Sequence, residues 1–202
     1  MCYGKELTYN EVHSQIGKGA DQLMPVFLSL EELDLFGDEL EKLRVDLFTQ
    51  RYLPRVEPFP KVRELFVRIK ADGMRIALAS SAKQEELDGH KSRLQIEDLV
   101  DAATSADDVH RSKPCPDVFQ AALERLHQVA PQDAIVVGDT PYDAMAAADA
   151  GMQAIGVLSG GFSEKSLRAH GAIAVYGDVA DLYERYDESP LSREHTQQRG
   201  VA

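Results

Sequence analysis

In Gly138-Asp139-Thr140-Pro141-Tyr142-Asp143 an apolar run, Ala134 to Val137, ends in a glycine and an acid, and a second acid follows four residues later. Two carboxylates so spaced suit a hard cation. Magnesium takes oxygen ligands and is usually held by one or two carboxylates, with substrate phosphate and water completing the shell. The same residues make an equally good helix start, with Thr140 as N-cap, Pro141 at the first helical position and Asp143 completing a capping box. Gly138 favours the metal reading, because a residue without Cβ lets a ligand approach the backbone closely.

Two further groups suit an anion. Ser80 and Ser81 close the apolar run Met74 to Ala79, and a hydroxyl beside free amides at a helix start is a ready anion site. A plain N-cap serine has the same pattern. Lys113, in Ser112-Lys113-Pro114-Cys115-Pro116-Asp117, can set a positive charge against a phosphate held at Ser80, and taken alone it also reads as a solvated surface lysine. Chemistry that joins these groups to a metal needs a nucleophile as well, usually an acid on an earlier strand. Asp34-Leu35-Phe36-Gly37-Asp38 holds two acids, but in a Leu/Glu-rich helical stretch with no apolar strand ahead of it.

The elements that must position these residues follow from periodicity. Thr8-Tyr9-Asn10-Glu11 and Ser29-Leu30-Glu31-Glu32 fit capping boxes, and Leu40, Leu43 and Leu47 recur on one helical face. Pro54, Pro58 and Pro60 then interrupt the chain. Val62, Leu65, Phe66 and Ile69 make an amphipathic helix with Gly73 just past its end. Beyond it strands at 74–79, 99–103, 134–137, 153–158 and 172–176 alternate with helices. That alternation predicts a parallel sheet covered on both faces, with its ligand crevice at the carboxyl ends of the strands. The expected organisation is a helical subdomain over residues 1–57, an α/β core over 58–188 and a polar, disordered tail over 189–202.

Composition narrows the function. The 202 residues carry a formal charge of −12 and a pI near 4.9, which excludes a nucleic-acid partner dependent on clustered Lys and Arg. Residues 1–12 hold no apolar signal region, and no apolar run approaches the ~20 residues of a membrane span. Two cysteines, Cys2 and Cys115, give no disulfide framework, as expected in a reducing cytoplasm. No glycine-rich nucleotide loop follows any strand, and no motif sets an oligomeric state.

Ile76-Ala77-Leu78-Ala79-Ser80-Ser81, Lys113-Pro114-Cys115-Pro116-Asp117 and Gly138-Asp139-Thr140-Pro141-Tyr142-Asp143 resemble the second, third and fourth motifs of the haloacid dehalogenase-like superfamily. The similarity is greatest to its phosphoglycolate phosphatase and β-phosphoglucomutase branch and runs from about Leu7 to Tyr186. It implies a Rossmann-like fold with a helical cap and hydrolysis of a small phosphorylated metabolite with Mg²⁺. It further implies that Ser80 and the Ser81 amide hold the phosphoryl group, that Lys113 neutralises it, that Asp139 ligates Mg²⁺ and that Asp143 supports the metal site. Gly17-Lys18-Gly19-Ala20-Asp21 resembles the family's substrate-facing cap loop, with Lys18 its charged member, although a solvated loop accounts for Lys18 equally well.

The family's first motif is a central strand ending in Asp-x-Asp-Gly-Thr, whose acids serve as nucleophile and acid/base. These 202 residues contain no counterpart. The expectation is therefore a chain inactive by itself, truncated at its amino side or serving as a non-catalytic phospho-ligand module. A missing central strand would leave backbone groups of its two neighbours unpaired, at roughly 1–3 kcal/mol for each one buried. Direct pairing of those neighbours is the alternative.

Overall fold

Thr8 and Ser29 open helices as their capping boxes predict: each hydroxyl accepts the amide three residues on, and Glu11 and Glu32 reach back to the cap amides. A computed structural model describes residues 4–192. Its amino-terminal part holds α1 (Tyr9–His13), α2 (Ala20–Phe27) and α3 (Leu30–Leu47), then a π-helical turn, Phe48–Tyr52, and a 3-10 turn, Leu53–Arg55. Asp34 and Asp38 both lie within α3 and on no strand. Leu43 and Leu47, which recur on one face of α3, are exposed.

The alternating region follows as α4 (Val62–Ala71), β1 (Ala77–Ala79), α5 (Gln84–Leu94), β2 (Ala102–Thr104), α6 (Asp117–Leu126), β3 (Ile135–Gly138), α7 (Pro141–Asp149), β4 (Gln153–Val157), α8 (Glu164–Ala169), β5 (Ala172–Tyr176) and α9 (Val179–Glu184). Gly73, at φ 80°, follows α4 as expected. Every strand pairing is parallel, in keeping with the α/β architecture.

The strands do not form one continuous sheet. β1 pairs with β2, while β3, β4 and β5 form a second sheet in that order. β1 and β3 are therefore not bonded to each other, and the direct pairing considered from sequence does not occur. The packing divides differently, into two clusters that both include residues of the second sheet. Val118, Phe119, Val136 and the small residues of α7 make one buried cluster, and Leu65, Ile155, Val157, Tyr176 and Leu182 make another.

At the carboxyl side the ordered fold extends beyond the expected boundary at residue 188. Ser189, Leu191 and Ser192 are buried, and the Leu191 carbonyl accepts a hydrogen bond from the Tyr186 hydroxyl at 3.2 Å. The expected tail thus gives up residues 189–192 to the fold, and its remainder, 193–202, lies outside the described residues.

Candidate active site

Asp143 combines the roles of helix cap and ion-pair partner. One carboxylate oxygen accepts the Thr140 amide at 3.0 Å and the Thr140 hydroxyl at 2.7 Å, closing the capping box of α7. The other accepts Lys113 Nζ at 2.8 Å. Burial makes this pair consequential, since the side chains are only 13% and 8% exposed. Lys113 is therefore no solvated surface residue.

Asp139, at the end of β3, is in the opposite condition. It is half-buried, and no ion pair reaches it among the described residues. Burial pushes its carboxyl above the usual aspartate range and the neighbouring charge of Asp143 pushes further, with Lys113 opposing. A carboxylate held near a second negative group and lacking a cation of its own fits one inner ligand of a hard metal. Asp143, with both oxygens engaged, fits an outer, orienting place. The described residues contain no cluster of three or more acids, histidines or cysteines, so substrate and water would complete any Mg²⁺ shell.

Gly138 serves a different purpose from the one its sequence suggests. A Cβ at this position would stand 2.6 Å from Asp143 Cγ, so the missing side chain makes room for Asp143 rather than for a ligand.

Ser80 lies at the end of β1, tied to β2 through its amide and the Thr104 carbonyl at 2.9 Å. Its hydroxyl accepts the Ala82 amide at 3.0 Å, a local turn. The helix expected directly after it begins only at Gln84, with Lys83 as N-cap, so neither serine caps it. The Ser81 hydroxyl is buried without a hydrogen-bond partner among the described residues. Ser80, Lys113, Asp139 and Asp143 line the carboxyl-end part of one cavity that runs along β1 and β3. Ser81 adjoins it through Ser80.

The loop before α2 sits directly on this site. The Asp21 carboxylate accepts the Ser112 hydroxyl at 2.5 Å and the Ser112 amide at 3.0 Å, and Ser112 Oγ in turn accepts the Gly19 amide at 2.9 Å. Partial burial would raise the Asp21 pKa, but the Ser112 hydrogen bonds outweigh it and hold it below the usual aspartate range. Lys18 Nζ stands 4.7 Å from the centre of the Tyr142 ring and donates to Gln15 at 2.5 Å, so it is neither free nor simply solvated. Tyr142 donates its hydroxyl to the Ser14 carbonyl at 2.6 Å. His13 Nε2 lies 3.3 Å from the Gly160 carbonyl oxygen, with the ring stacked on Phe162. Sequence reasoning singled out the loop but missed Asp21, Ser112, Tyr142 and His13. Their partners lie 91 to 147 positions away, beyond any local signal.

The fold has counterparts among known proteins. The family model described as haloacid dehalogenase-like hydrolase matches residues 2–157. A phosphorylated carbohydrates phosphatase of Thermotoga maritima is 29% identical over 178 residues, covering 86% of this chain and 80% of that protein. Among solved structures, a hydrolase from Pseudomonas syringae superposes with a TM-score of 0.77 at 23% identity, covering 91% of this chain and 84% of the other. A β-phosphoglucomutase from Clostridium difficile superposes at 0.72 with 21% identity, covering 98% and 86%. Matched across most of its length, the chain belongs to the haloacid dehalogenase-like hydrolase family.

Proposed function

We propose that this chain carries the phosphate- and Mg²⁺-binding arm of a phosphohydrolase acting on a small phosphorylated metabolite, and that alone it binds without turnover. The observation that supports the reading most is that Ser80, Lys113 and Asp139, from three separate segments, line one cavity where β1 and β3 end. Ser80 offers a hydroxyl and Lys113 a cation to the phosphoryl oxygens. Asp139 would hold the metal, which when bound supplies charge neutralisation and polarisation of a phosphoryl oxygen. Asp143 fixes the Lys113 ammonium in place through the 2.8 Å ion pair. The similarity to a phosphatase of phosphorylated carbohydrates supports a sugar-phosphate-like substrate class.

Absence of turnover is proposed because the candidate acids elsewhere fail on position. Asp34 and Asp38 lie in α3, while Asp139 and Asp143 are assigned to the metal. The test is calorimetric titration with inorganic phosphate, with and without Mg²⁺, alongside a p-nitrophenyl phosphate assay. Mg²⁺ should strengthen phosphate binding at least tenfold, Asp139→Ala should abolish that gain, and hydrolysis should stay at background. Mg²⁺-dependent turnover lost on Asp139→Ala would show the chain to be a complete enzyme instead.

A further inference from the structure

We infer that Arg125 and Arg168 guard the outer edges of β2 and β5 against a second copy of this chain, each by occupying a carbonyl that an incoming strand would use. This rests on the two edges and their arginines and not on the phosphohydrolase reading.

At β2 the Ala102 amide donates to the Ile76 carbonyl and the Thr104 carbonyl accepts the Ser80 amide, so both residues turn toward β1. By the alternation of a parallel ladder Ala103, between them, turns its backbone groups away from β1. Its carbonyl accepts Nη1 of Arg125, whose Nη2 donates to the Asp108 carboxylate at 2.5 Å. At the other end, β5 pairs with β4 alone among the described residues, and a register shift skips Ile173. The Ile173 carbonyl accepts Arg168 Nη1 at 3.3 Å, while Arg168 Nε donates to Glu164 at 2.7 Å. Both edges thus share one arrangement. An arginine from a neighbouring helix, α6 or α8, is anchored by an acid and laid on a strand carbonyl.

The ordinary place for an arginine on a carbonyl is the end of a helix, which carries a partial negative charge. Arg63 on Gln95 and Arg75 on Leu126 and His127 are of that kind. Arg125 and Arg168 instead take carbonyls within strands, where the net dipole is small. Their side chains are 44% and 48% exposed, and exposed ion pairs add little to stability. The strands have a use for the charge. Ala102–Thr104 and Ala172–Tyr176 contain no charged residue and no proline, the usual means of blunting an edge. Ile173, moreover, is 43% exposed. An uncharged edge with exposed apolar side chains is a template for another strand, and a second copy carries the same edge.

The test is sedimentation velocity of Arg125→Met and Arg168→Met over a concentration series, beside the parent and Arg44→Met. Arg44 pairs with Glu41 on α3, so its variant removes the same charge away from both edges. Each edge variant should self-associate at a concentration at least tenfold below the parent, and Arg44→Met should match the parent. Hydrogen exchange should slow with concentration at residues 102–105 in Arg125→Met and at 172–176 in Arg168→Met. An edge variant whose thermal transition falls below the parent's is replaced by Arg125→Gln or Arg168→Gln, whose shorter, uncharged side chain should give the same result. Association no stronger than the parent's in either edge variant, equal association of Arg44→Met, or protection outside the altered strand would overturn the proposal.

Discussion

Lys113 and Asp143 form the most buried ion pair among the described residues, with Nζ 2.8 Å from Oδ1 and side chains 13% and 8% exposed. They come from the loop before α6 and from the first turn of α7, thirty positions apart, so the pair holds the two halves of the site in register.

Removing the cation should therefore cost stability as well as ligand binding. Lys113→Met leaves the Asp143 charge buried with only its cap bonds, and breaking one side of such a pair costs about 3–5 kcal/mol. Urea denaturation should show a loss of that order. Lys113→Met combined with Asp143→Asn should recover part of it, because the uncompensated charge is gone.

Asp139 should behave in the reverse sense. Its carboxyl is raised in the fold by burial and by Asp143, so the folded state holds the proton more tightly than the unfolded chain does. Stability then falls as pH rises from the ordinary carboxylate range through the raised value. Asp139→Asn should melt higher than the parent at pH 7, with the advantage vanishing below the ordinary carboxylate range. Mg²⁺ should raise the melting temperature of the parent and leave Asp139→Asn unmoved, as read by calorimetry across pH.

Gly138→Ala tests the space that Asp143 occupies. The new methyl would stand 2.6 Å from Asp143 Cγ, and overpacking of this kind typically costs about 1–3 kcal/mol. The loss should appear together with weakened phosphate binding, because α7 must shift and carry Asp143 away from Lys113. Val137→Ala, one residue earlier and half-exposed, should cost less in both measurements.

Asp21 should give a low-pH opening of the loop over the site. Its pKa is depressed in the fold, so its contribution is present above the usual aspartate range and is lost as pH falls through the depressed value. Hydrogen-exchange protection of residues 13–21 should drop on acidification. Asp21→Asn should show the lower protection already at pH 7, with little further change on acidification.

What could be read from sequence was what short-range chemistry fixes. Thr8, Ser29 and Thr140 announce helix starts because a cap satisfies amides only two or three residues away. Strands 135–138, 153–157 and 172–176 fall within a residue or so of their apolar runs, and their alternation with helices gives the parallel order. Ser80 and Ser81 misled as helix caps because α5 starts at Gln84, and nothing local distinguishes a two-residue turn from a cap. Gly138 was read with the wrong neighbour, since the atom that needs the space belongs to a helix packed back over the strand. The Asp21–Ser112 and Tyr142–Ser14 contacts are products of packing between the helical part and the core, and periodicity carries no trace of them.

The two glycines flanking Lys18 bear on how this protein could change over evolutionary time. A Cβ at position 17, where φ is 104°, would stand 2.6 Å from Thr140 Cγ2, and one at position 19 would stand 2.6 Å from Ser112 Cβ. Both positions are closed to variation, because any side chain there would lift the loop off Thr140 or Ser112. Lys18 between them is held by Gln15 and the face of Tyr142. Variation in this loop is thus channelled into one codon, and a saturation library at that codon alone should leave the seat of the loop undisturbed.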